Sequence, residues 1–398
     1  MREMKDSGIE WLGEIPAGWE IRQVGQLAEV VKAPNEGLAE NNLLSLSYGK
    51  IKRRDINAVD GLLPASFETY NIIQPNDIVL RFTDLQNDQK SLRVGRATER
   101  GIITITSAYV TVRPHDAFRS RFIYYALHAY DLRKGFYGMG AGVRQGLKWQ
   151  EARYIRLPWP GEERQRRIAD YLDEKCAEID RAISAAEQSI EEYRAYRYSL
   201  VSAHIDTSDG AEVRFKYIAA VVPNLVRPDD YPDLIEVDPD NIEKDTGRLI
   251  NLRSVYEVGA ISAKHRFKRG QILYSKIRPL LGKVAIAPFD GLCSADMYPI
   301  ETGQDVEWLR YAMTSASFRR QVASACARVK MPKINVEQLG QIRLIVPSLG
   351  EQRRIVGYLN EKCSQADSAI EAKQAIIADL KAYKQSLIYE VVTGKREV

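Results

Sequence analysis

The sequence predicts two mixed α/β (α+β) domains that alternate with two long antiparallel coiled-coil helices, in a chain built on an internal pseudo-twofold repeat. Residues 156–200 align with residues 343–387 at a constant offset of 187 without a gap, and 21 of the 45 aligned positions are identical. Such self-similarity indicates a duplication. Within both blocks apolar residues recur at steps of three and four, which is the spacing of a coiled-coil seam.

The size and composition of the chain fit a protein of several domains. A length of 398 residues is more than one hydrophobic core usually serves. The chain is 45% hydrophobic and 28% charged, and its four cysteines show no close pairing. These values exclude a disordered chain and a disulfide framework. We expect a cytoplasmic protein, because no apolar run is long enough to span a membrane and the first residues lack a secretory core.

Each repeated block is expected to form one long helix. Pro160 and Pro347 stand just before the two helices, where proline is tolerated. A helix of roughly 38 residues is about 57 Å long, and an apolar stripe of that length needs cover. We therefore predict that the helices pack on each other in antiparallel fashion, with the variable domains at opposite ends. The residues predicted to pack between them are Ile168, Leu172, Ile179, Ile183, Ile190, Leu200, Ile355, Leu359, Ile370, Ile377, Leu380 and Leu387.

The repeat divides the chain into four parts. We predict a first variable domain over 1–158, a helical region over 159–207, a second variable domain over 208–346 and a second helical region over 347–398. Within the variable domains, strand-like runs lie at 78–82, 102–112, 213–222, 272–274 and 283–287, and short helices are expected at 119–129 and 306–316.

The motifs that catalysis would need are missing from the sequence. The chain has neither a Walker A motif nor the Asn/Asp-Pro-Pro-aromatic motif of adenine methyltransferases, and its four histidines lack metal-binding spacing. Asp173, Glu174 and Lys175 match half of a nuclease motif, but they lie within a predicted helix and the repeat has Asn360 in place of Asp173. We therefore predict no catalytic residue, no metal site and no cofactor bound by this chain.

Basic stretches in both variable domains indicate a DNA partner. The net charge of +4 permits a nucleic-acid partner without requiring one. Arginine and lysine neutralise phosphates or read guanine, while asparagine and glutamine can pair with adenine. The candidates in the first domain are Tyr48, Lys50, Lys52, Arg53, Arg54, Arg81, Gln86, Asn87, Lys90, Arg93, Arg96, Arg144 and Lys148. Those in the second are Lys264, Arg266, Lys268, Lys276, Arg278, Arg328, Lys330 and Lys333.

A solvated surface is the commoner explanation of any single basic run. The DNA interpretation is favoured here because comparable positions in both halves are basic.

The layout resembles the specificity subunit of type I restriction–modification systems. The resemblance is carried by KDSGIEWLGEIPAGWE (5–20), by the helix starts that follow Gly161 and Gly350, and by SLIYEVVTGK (386–395). It implies a non-catalytic subunit with two target-recognition domains, each of which reads one half of a bipartite site in double-stranded DNA. It also implies partners: two modification subunits, which use S-adenosylmethionine to methylate adenine N6, and restriction subunits, which use ATP and magnesium.

Two other functions remain open from the residues alone. The chain could be a coiled-coil scaffold that binds proteins and no DNA, or a stand-alone enzyme that modifies nucleic acid.

In the DNA interpretation the helices act as a ruler, which favours half-sites centred about 10 bp apart.

Overall fold

The computed structural model describes residues 3–57, 64, 66–85, 92–104, 109–137, 139, 146–326 and 332–398. By its internal contacts the chain divides into two compact units. Unit 1 consists of residues 1–185 together with 376–398, and unit 2 consists of residues 186–375. Each unit therefore combines one mixed domain with segments of both long helices.

The elements follow one another in two similar series. The first series is β1 (Met4–Asp6), β2 (Glu14–Pro16), β3 (Glu20–Gln23), β4 (Ala28–Val30), β5 (Leu44–Ser47), β6 (Lys50–Arg53), β7 (Asn71–Ile73), β8 (Ile78–Arg81), β9 (Val94–Arg96), β10 (Gly101–Ile103), β11 (Tyr109–Pro114), α1 (Ser120–Leu132), α2 (Trp149–Ala152), β12 (Arg156–Trp159) and α3 (Glu162–Ile205). The second series is β13 (Ala211–Arg214), β14 (Ala219–Val221), β15 (Leu225–Val226), β16 (Ile235–Val237), β17 (Arg253–Ser254), α4 (Val255–Val258), β18 (Lys264–Phe267), β19 (Ile272–Ser275), β20 (Val284–Ile286), β21 (Gly291–Ser294), β22 (Met297–Thr302), α5 (Val306–Ala312), α6 (Ala316–Cys326), α7 (Val336–Gln341), β23 (Arg343–Val346) and α8 (Leu349–Val392).

Unit 1 is organised around a four-stranded antiparallel sheet in the order β4-β11-β8-β9. Its inner strand β8 begins with three apolar residues, 78–80, of which Ile78 and Val79 are fully buried. The helix α1 buries an apolar face that includes Phe122, Ala126 and Leu127. Burial on both sides explains why β8 carries no polar alternation.

Unit 2 repeats this sheet in the order β14-β22-β19-β20. Ile78 of β8 lies opposite Val112, and Ile272 of β19 lies opposite Ile300, so the two sheets also share their register. The similar segments DIVLRF (77–82) and QILYSK (271–276) thus contain matching strands. Unit 2 adds a five-stranded sheet in the order β15-β18-β21-β16-β17, which the sequence did not predict.

The helix predicted over 306–316 is two helices, α5 and α6. The break lies where side chains from the end of α3 bind the first turn of α6. Ser202 Oγ accepts a hydrogen bond from the Ala316 N–H at 3.0 Å, and Asp206 accepts from the Ser317 N–H at 2.9 Å. These long-range caps replace the backbone hydrogen bonds that a continuous helix would make, and a local pattern does not reveal them.

The helices α3 and α8 each have 44 residues and are about 66 Å long. In unit 1 Arg164 donates to the Val398 carbonyl at 2.6 Å, while Asp180 accepts from Lys384 at 2.7 Å. The residue number of the contacting partner falls as the residue number in α3 rises, so the two segments run antiparallel. In unit 2 the same holds, because Arg197 lies 3.3 Å from Asp367 and the His204 ring lies 4.7 Å from the Tyr358 ring. The antiparallel prediction is confirmed.

Most residues of the predicted seam are buried. Leu172, Leu359 and Leu387 are fully buried, and in unit 2 Ile355 and Leu359 join the core that packs on the four-stranded sheet. The other buried seam residues are Ile168, Ile179, Ile183, Ile190 and Ile377, while Leu200, Ile370 and Leu380 are partly buried.

Two ion pairs occupy the seam where its apolar steps are interrupted. Asp180 pairs with Lys384 in unit 1, and Arg197 pairs with Asp367 in unit 2. The offset of 187 carries Asp180 onto Asp367 and Arg197 onto Lys384, so the two pairs are reciprocal copies. The duplication seen in the sequence is therefore also present in side-chain contacts, and the predicted fold class is confirmed.

Candidate nucleic-acid interface

The hairpin of β5 and β6 presents exposed side chains in unit 1. Its two-residue turn, Tyr48 and Gly49, has positive φ at both positions (47° and 75°), as a tight hairpin turn requires. Tyr48 is 72% exposed. Lys52 and Arg54 are also exposed, and within the described residues their side chains have no charged partner. These three side chains are available for a ligand.

Two other cations of this hairpin are already paired. Lys50 lies 3.0 Å from Asp180 of α3, and Asp180 also binds Lys384 of α8. The pKa of Asp180 is lowered, because hydrogen bonds from Lys384 and Lys50 outweigh the opposing effect of its burial. Arg53 donates from Nε to Glu99 at 2.7 Å. Lys50 thus connects the hairpin to the helices of its own unit.

Arg93 is a structural residue and leaves the set of DNA candidates. Its side chain is fully buried, and its guanidinium donates to the carbonyl oxygens of Thr83 at 2.6 Å and Asp84 at 2.9 Å. Its backbone N–H donates to Asp131 at 2.6 Å. Burial raises the pKa of Asp131 to about 6. A basic residue in a mixed stretch gives no local signal that its guanidinium will fold inward.

The remaining candidates of the first domain are dispersed. Arg81 ends β8 and lies 3.7 Å from Asp84, whereas Arg96 lies beside the other end of β8 and donates to Asn76 at 2.9 Å. Lys148 is exposed just before α2. The predicted residues Gln86, Asn87, Lys90 and Arg144 lie outside the described residues.

Unit 2 brings together three candidates from two separate stretches of sequence. The Ile334 N–H donates to the Lys276 carbonyl at 3.0 Å, and the Arg278 N–H donates to the Pro332 carbonyl at 2.9 Å. Lys276 and Lys333 both approach Asp296, at 3.8 and 3.3 Å. We call Lys276, Arg278, Lys333 and Asp296 the basic cluster. Three positive charges and one negative charge give it a net charge of +2.

The basic residues in and next to β18 differ in burial. Lys264 is buried and forms an ion pair with Glu236, with Asp238 at 3.6 Å. Burial acts to lower the pKa of Lys264, but its two acidic neighbours outweigh this effect and the pKa is raised. Lys264 therefore also leaves the set of DNA candidates, because it neutralises a buried carboxylate.

Two residues of the same stretch face outward. The guanidinium of Arg266 lies 5.0 Å from the ring of Tyr231, and Lys268 is exposed. The predicted residues Arg328 and Lys330 lie outside the described residues.

The carboxylate of Asp173, which belongs to the partial nuclease motif, makes contacts within the fold. The Tyr125 hydroxyl donates to Asp173 at 2.7 Å, and Arg121 lies 2.7 Å from the same carboxylate. In unit 2 the Tyr311 hydroxyl donates to Asn360 at 2.7 Å. Asp173 and Asn360 thus receive the same tyrosine contact, which an amide oxygen makes as well as a carboxylate.

A cleft of about 1210 Å³ in unit 2 is lined by charged residues of both signs. Its arginines already have partners there. Arg194 binds Glu191, Arg248 binds Glu243 and Glu371, and Arg319 binds Asp245. Arg197 donates to the Asp245 carbonyl, and Arg310 to the Thr246 carbonyl. This pairing explains how the charges of the cleft are balanced.

The described residues contain no group of three or more His, Cys, Asp or Glu side chains arranged to hold a metal ion. Within these residues, no helix has the length and apolar composition needed to cross a membrane.

Known proteins match parts of this sequence. Residues 251–382 match the family model of the type I restriction modification DNA specificity domain. The type I restriction enzyme EcoDI specificity subunit of Escherichia coli is 38% identical over 183 residues, which is 46% of this chain and 41% of the relative. The match thus spans less than half of the relative's length.

A solved structure supports the fold over nearly the whole chain. It comes from work on complex assembly and conformational transition of the type I R-M system. The superposition has a TM-score of 0.67 and covers 96% of this chain and 99% of that chain, at 14% sequence identity. At that identity the likeness establishes the fold alone.

Residues 251–382 thus resemble a DNA specificity domain of the type I restriction–modification class. The resemblance of this chain to the specificity subunits of that class is confirmed.

Proposed function

We propose that this chain is the non-catalytic subunit that reads a bipartite sequence in double-stranded DNA for a type I restriction–modification complex. The observation that carries the proposal is the position of the basic cluster. Lys276, Arg278 and Lys333 all lie within the segment 251–382 that matches the DNA specificity domain. A net positive cluster on a domain of this family is suited to the phosphate backbone.

The duplicated architecture supports recognition of two half-sites. Each unit holds its own four-stranded sheet of the same strand order, and each carries exposed basic side chains. In unit 1 they include Lys52 and Arg54, next to the aromatic Tyr48. Since the side chains differ between the units, the two domains are expected to read different sequences.

The long helices are proposed to set the distance between the half-sites and to bind the partner subunits. Apart from the seam, they carry exposed aromatic and aliphatic residues, among them Tyr196, Ile376 and Tyr383 at 47–51% exposure. Such residues are suited to a protein interface. The partners are proposed to be two methyltransferase subunits, which bring S-adenosylmethionine, and restriction subunits, which bring ATP and magnesium.

Selection of bound fragments from random DNA tests this function. The full chain, co-expressed with the modification subunits, is expected to enrich one asymmetric site made of two short sequences with unread bases between them. Methylated adenines should map inside both halves when the complex is supplied with S-adenosylmethionine. Affinity should fall steeply with salt, with a log–log slope of about −0.9 per neutralised phosphate.

The competing function is a protein-binding scaffold without DNA recognition. It would give no enriched sequence and no salt-dependent binding, although the modification subunits could still co-purify. The complex without this chain is the control, and it is expected to show no sequence preference.

A further inference from the structure

The segment that follows the inner strand of each four-stranded sheet has the same anchoring in both units. Phe82 follows β8 directly, and its carbonyl accepts from the Leu147 N–H at 3.1 Å. Lys276 follows β19 directly, and its carbonyl accepts from the Ile334 N–H at 3.0 Å. Phe82 and Lys276 therefore occupy one position in the two copies of the fold.

Two residues further along, both units hold a left-handed backbone. Asp84 has a φ of 53° and Arg278 a φ of 43°. Aspartate tolerates this conformation, but an arginine adopts it at a cost in energy. The Arg278 N–H donates to Pro332, and its carbonyl accepts from Leu281 at 2.9 Å. The surroundings thus impose the backbone conformation, while the side chain at this position differs between the units.

The side chain of Arg278 differs from its basic neighbours in lacking a partner. It is exposed, and the structure as described gives its guanidinium no hydrogen bond and no ion pair. Asp296, the carboxylate of the basic cluster, is shared by Lys276 and Lys333. Lys276 also donates to the Ala295 carbonyl at 2.7 Å. Both lysines are therefore already paired, whereas the guanidinium of Arg278 has no partner among the described residues.

These observations divide the roles within the basic cluster. A lysine is a compact charge that suits a phosphate, whereas the planar guanidinium fork matches the O6 and N7 acceptors of guanine in the major groove. A fixed backbone reduces the freedom that the fork would lose on binding.

We propose that Arg278 reads a guanine in the half-site of the second domain, and that its position is specificity-determining in both domains. The proposal rests on the proposed DNA recognition and names the contact that carries it. In unit 1 the corresponding Asp84 would accept a hydrogen bond from the amino group of a cytosine.

The test compares three variants of the full chain in complex with the modification subunits, by selection from random DNA. Asparagine and glycine both tolerate the left-handed backbone, so the variants Arg278→Asn and Arg278→Gly are expected to keep the fold. Arg278→Asn is expected to change one preferred guanine to adenine, because asparagine pairs with adenine N6 and N7. Arg278→Gly is expected to abolish that single preference and to weaken binding of the wild-type site about 5- to 150-fold.

Lys333→Ala is the matched control from the same cluster. It is expected to keep every base preference, to weaken binding of all sequences alike and to make the salt slope shallower by about 0.9. The assignment of Arg278 alone is overturned if the wild-type complex selects a bipartite site and both Arg278 variants select that same site unchanged. It is also overturned if both variants lose affinity for all sequences alike, as expected for Lys333→Ala. A wild-type complex that selects no site overturns the proposed function and this inference together.

Discussion

At the scale of single residues, His128 makes the stability of unit 1 depend on pH. Its ring is buried in α1 and stacks on Tyr124 with 5.6 Å between ring centroids. Burial, reinforced by the positive charge of Lys384, lowers the pKa of His128 from 6.5 to about 4. Between these values the unfolded chain binds a proton that the folded chain does not. This group therefore stabilises the fold fully above pH 6.5, and the contribution is lost as the pH falls through 4.

The variant His128→Gln is expected to remove this dependence. Relative to the variant, the wild-type chain should lose about 3 kcal/mol of unfolding free energy between pH 7 and pH 4, at about 1.4 kcal/mol per pKa unit. Urea unfolding of both proteins at a series of pH values measures the difference. The nearby Asp131 is present in both proteins, so its own titration cancels. Parallel stability curves would show that His128 is not the titrating group.

The burial of single charged residues is also what the sequence does not predict. Arg93 and Arg278 look alike in the sequence, since both are arginines in mixed basic stretches. Arg93 is fully buried with its guanidinium bound to two carbonyls, whereas Arg278 is exposed and has no partner among the residues that the structure describes. The difference arises from contacts with segments far away in the chain, namely the Asp131 region and residue 332. Local composition contains no information about such contacts.

At the scale of elements, the long helices could be predicted because their signal is local. The steps of three and four recur over both blocks and place Leu172 and Leu359 in the seam, where they are fully buried. The apolar pattern does not reveal the polar residue within the seam. Arg197 interrupts the apolar pattern, yet it is only 6% exposed because Asp367 of the other helix and the Asp245 carbonyl lie against it. Its partner could be found only after the antiparallel register was known.

Reversing one charge of this pair should weaken the helix packing in unit 2. Arg197→Glu is expected to destabilise the protein by about 3–5 kcal/mol, because it sets a second carboxylate beside Asp367 in a largely buried place. The double variant Arg197→Glu with Asp367→Arg should recover part of the loss. Arg194→Glu is the control: Arg194 is 55% exposed, and its charge is expected to contribute less than about 1 kcal/mol. Thermal unfolding of the four proteins gives the comparison, and equal losses for Arg194→Glu and Arg197→Glu would contradict it.

At the scale of the whole molecule, the proposed ruler can be shortened without removing either seam ion pair. Deleting residues 185–191 from α3 and residues 372–378 from α8 takes one heptad from each helix, at positions related by the offset of 187. Each helix then loses about 10.5 Å, which corresponds to about three base pairs of DNA.

The shortened chain is expected to select a site with a shorter spacer or to lose binding. Selection from random DNA reads the spacer, and circular dichroism checks that the helices still form. An unchanged spacer bound with normal affinity would refute the ruler.

The late position of one segment in the chain has a consequence for how the protein is made. Unit 1 includes residues 376–398, and there Val391, Val392 and Thr393 are buried while Lys395 donates to the Leu12 carbonyl at 2.7 Å. Unit 2, by contrast, is one continuous segment. During translation the mixed domain of unit 1 therefore emerges before unit 2 but is completed after it, since the last helical segment of unit 1 is synthesised only after all of unit 2. Until then the apolar surface meant for residues 376–398 stays uncovered on the nascent chain, and a ribosome that stops early releases a protein whose first domain is unfinished.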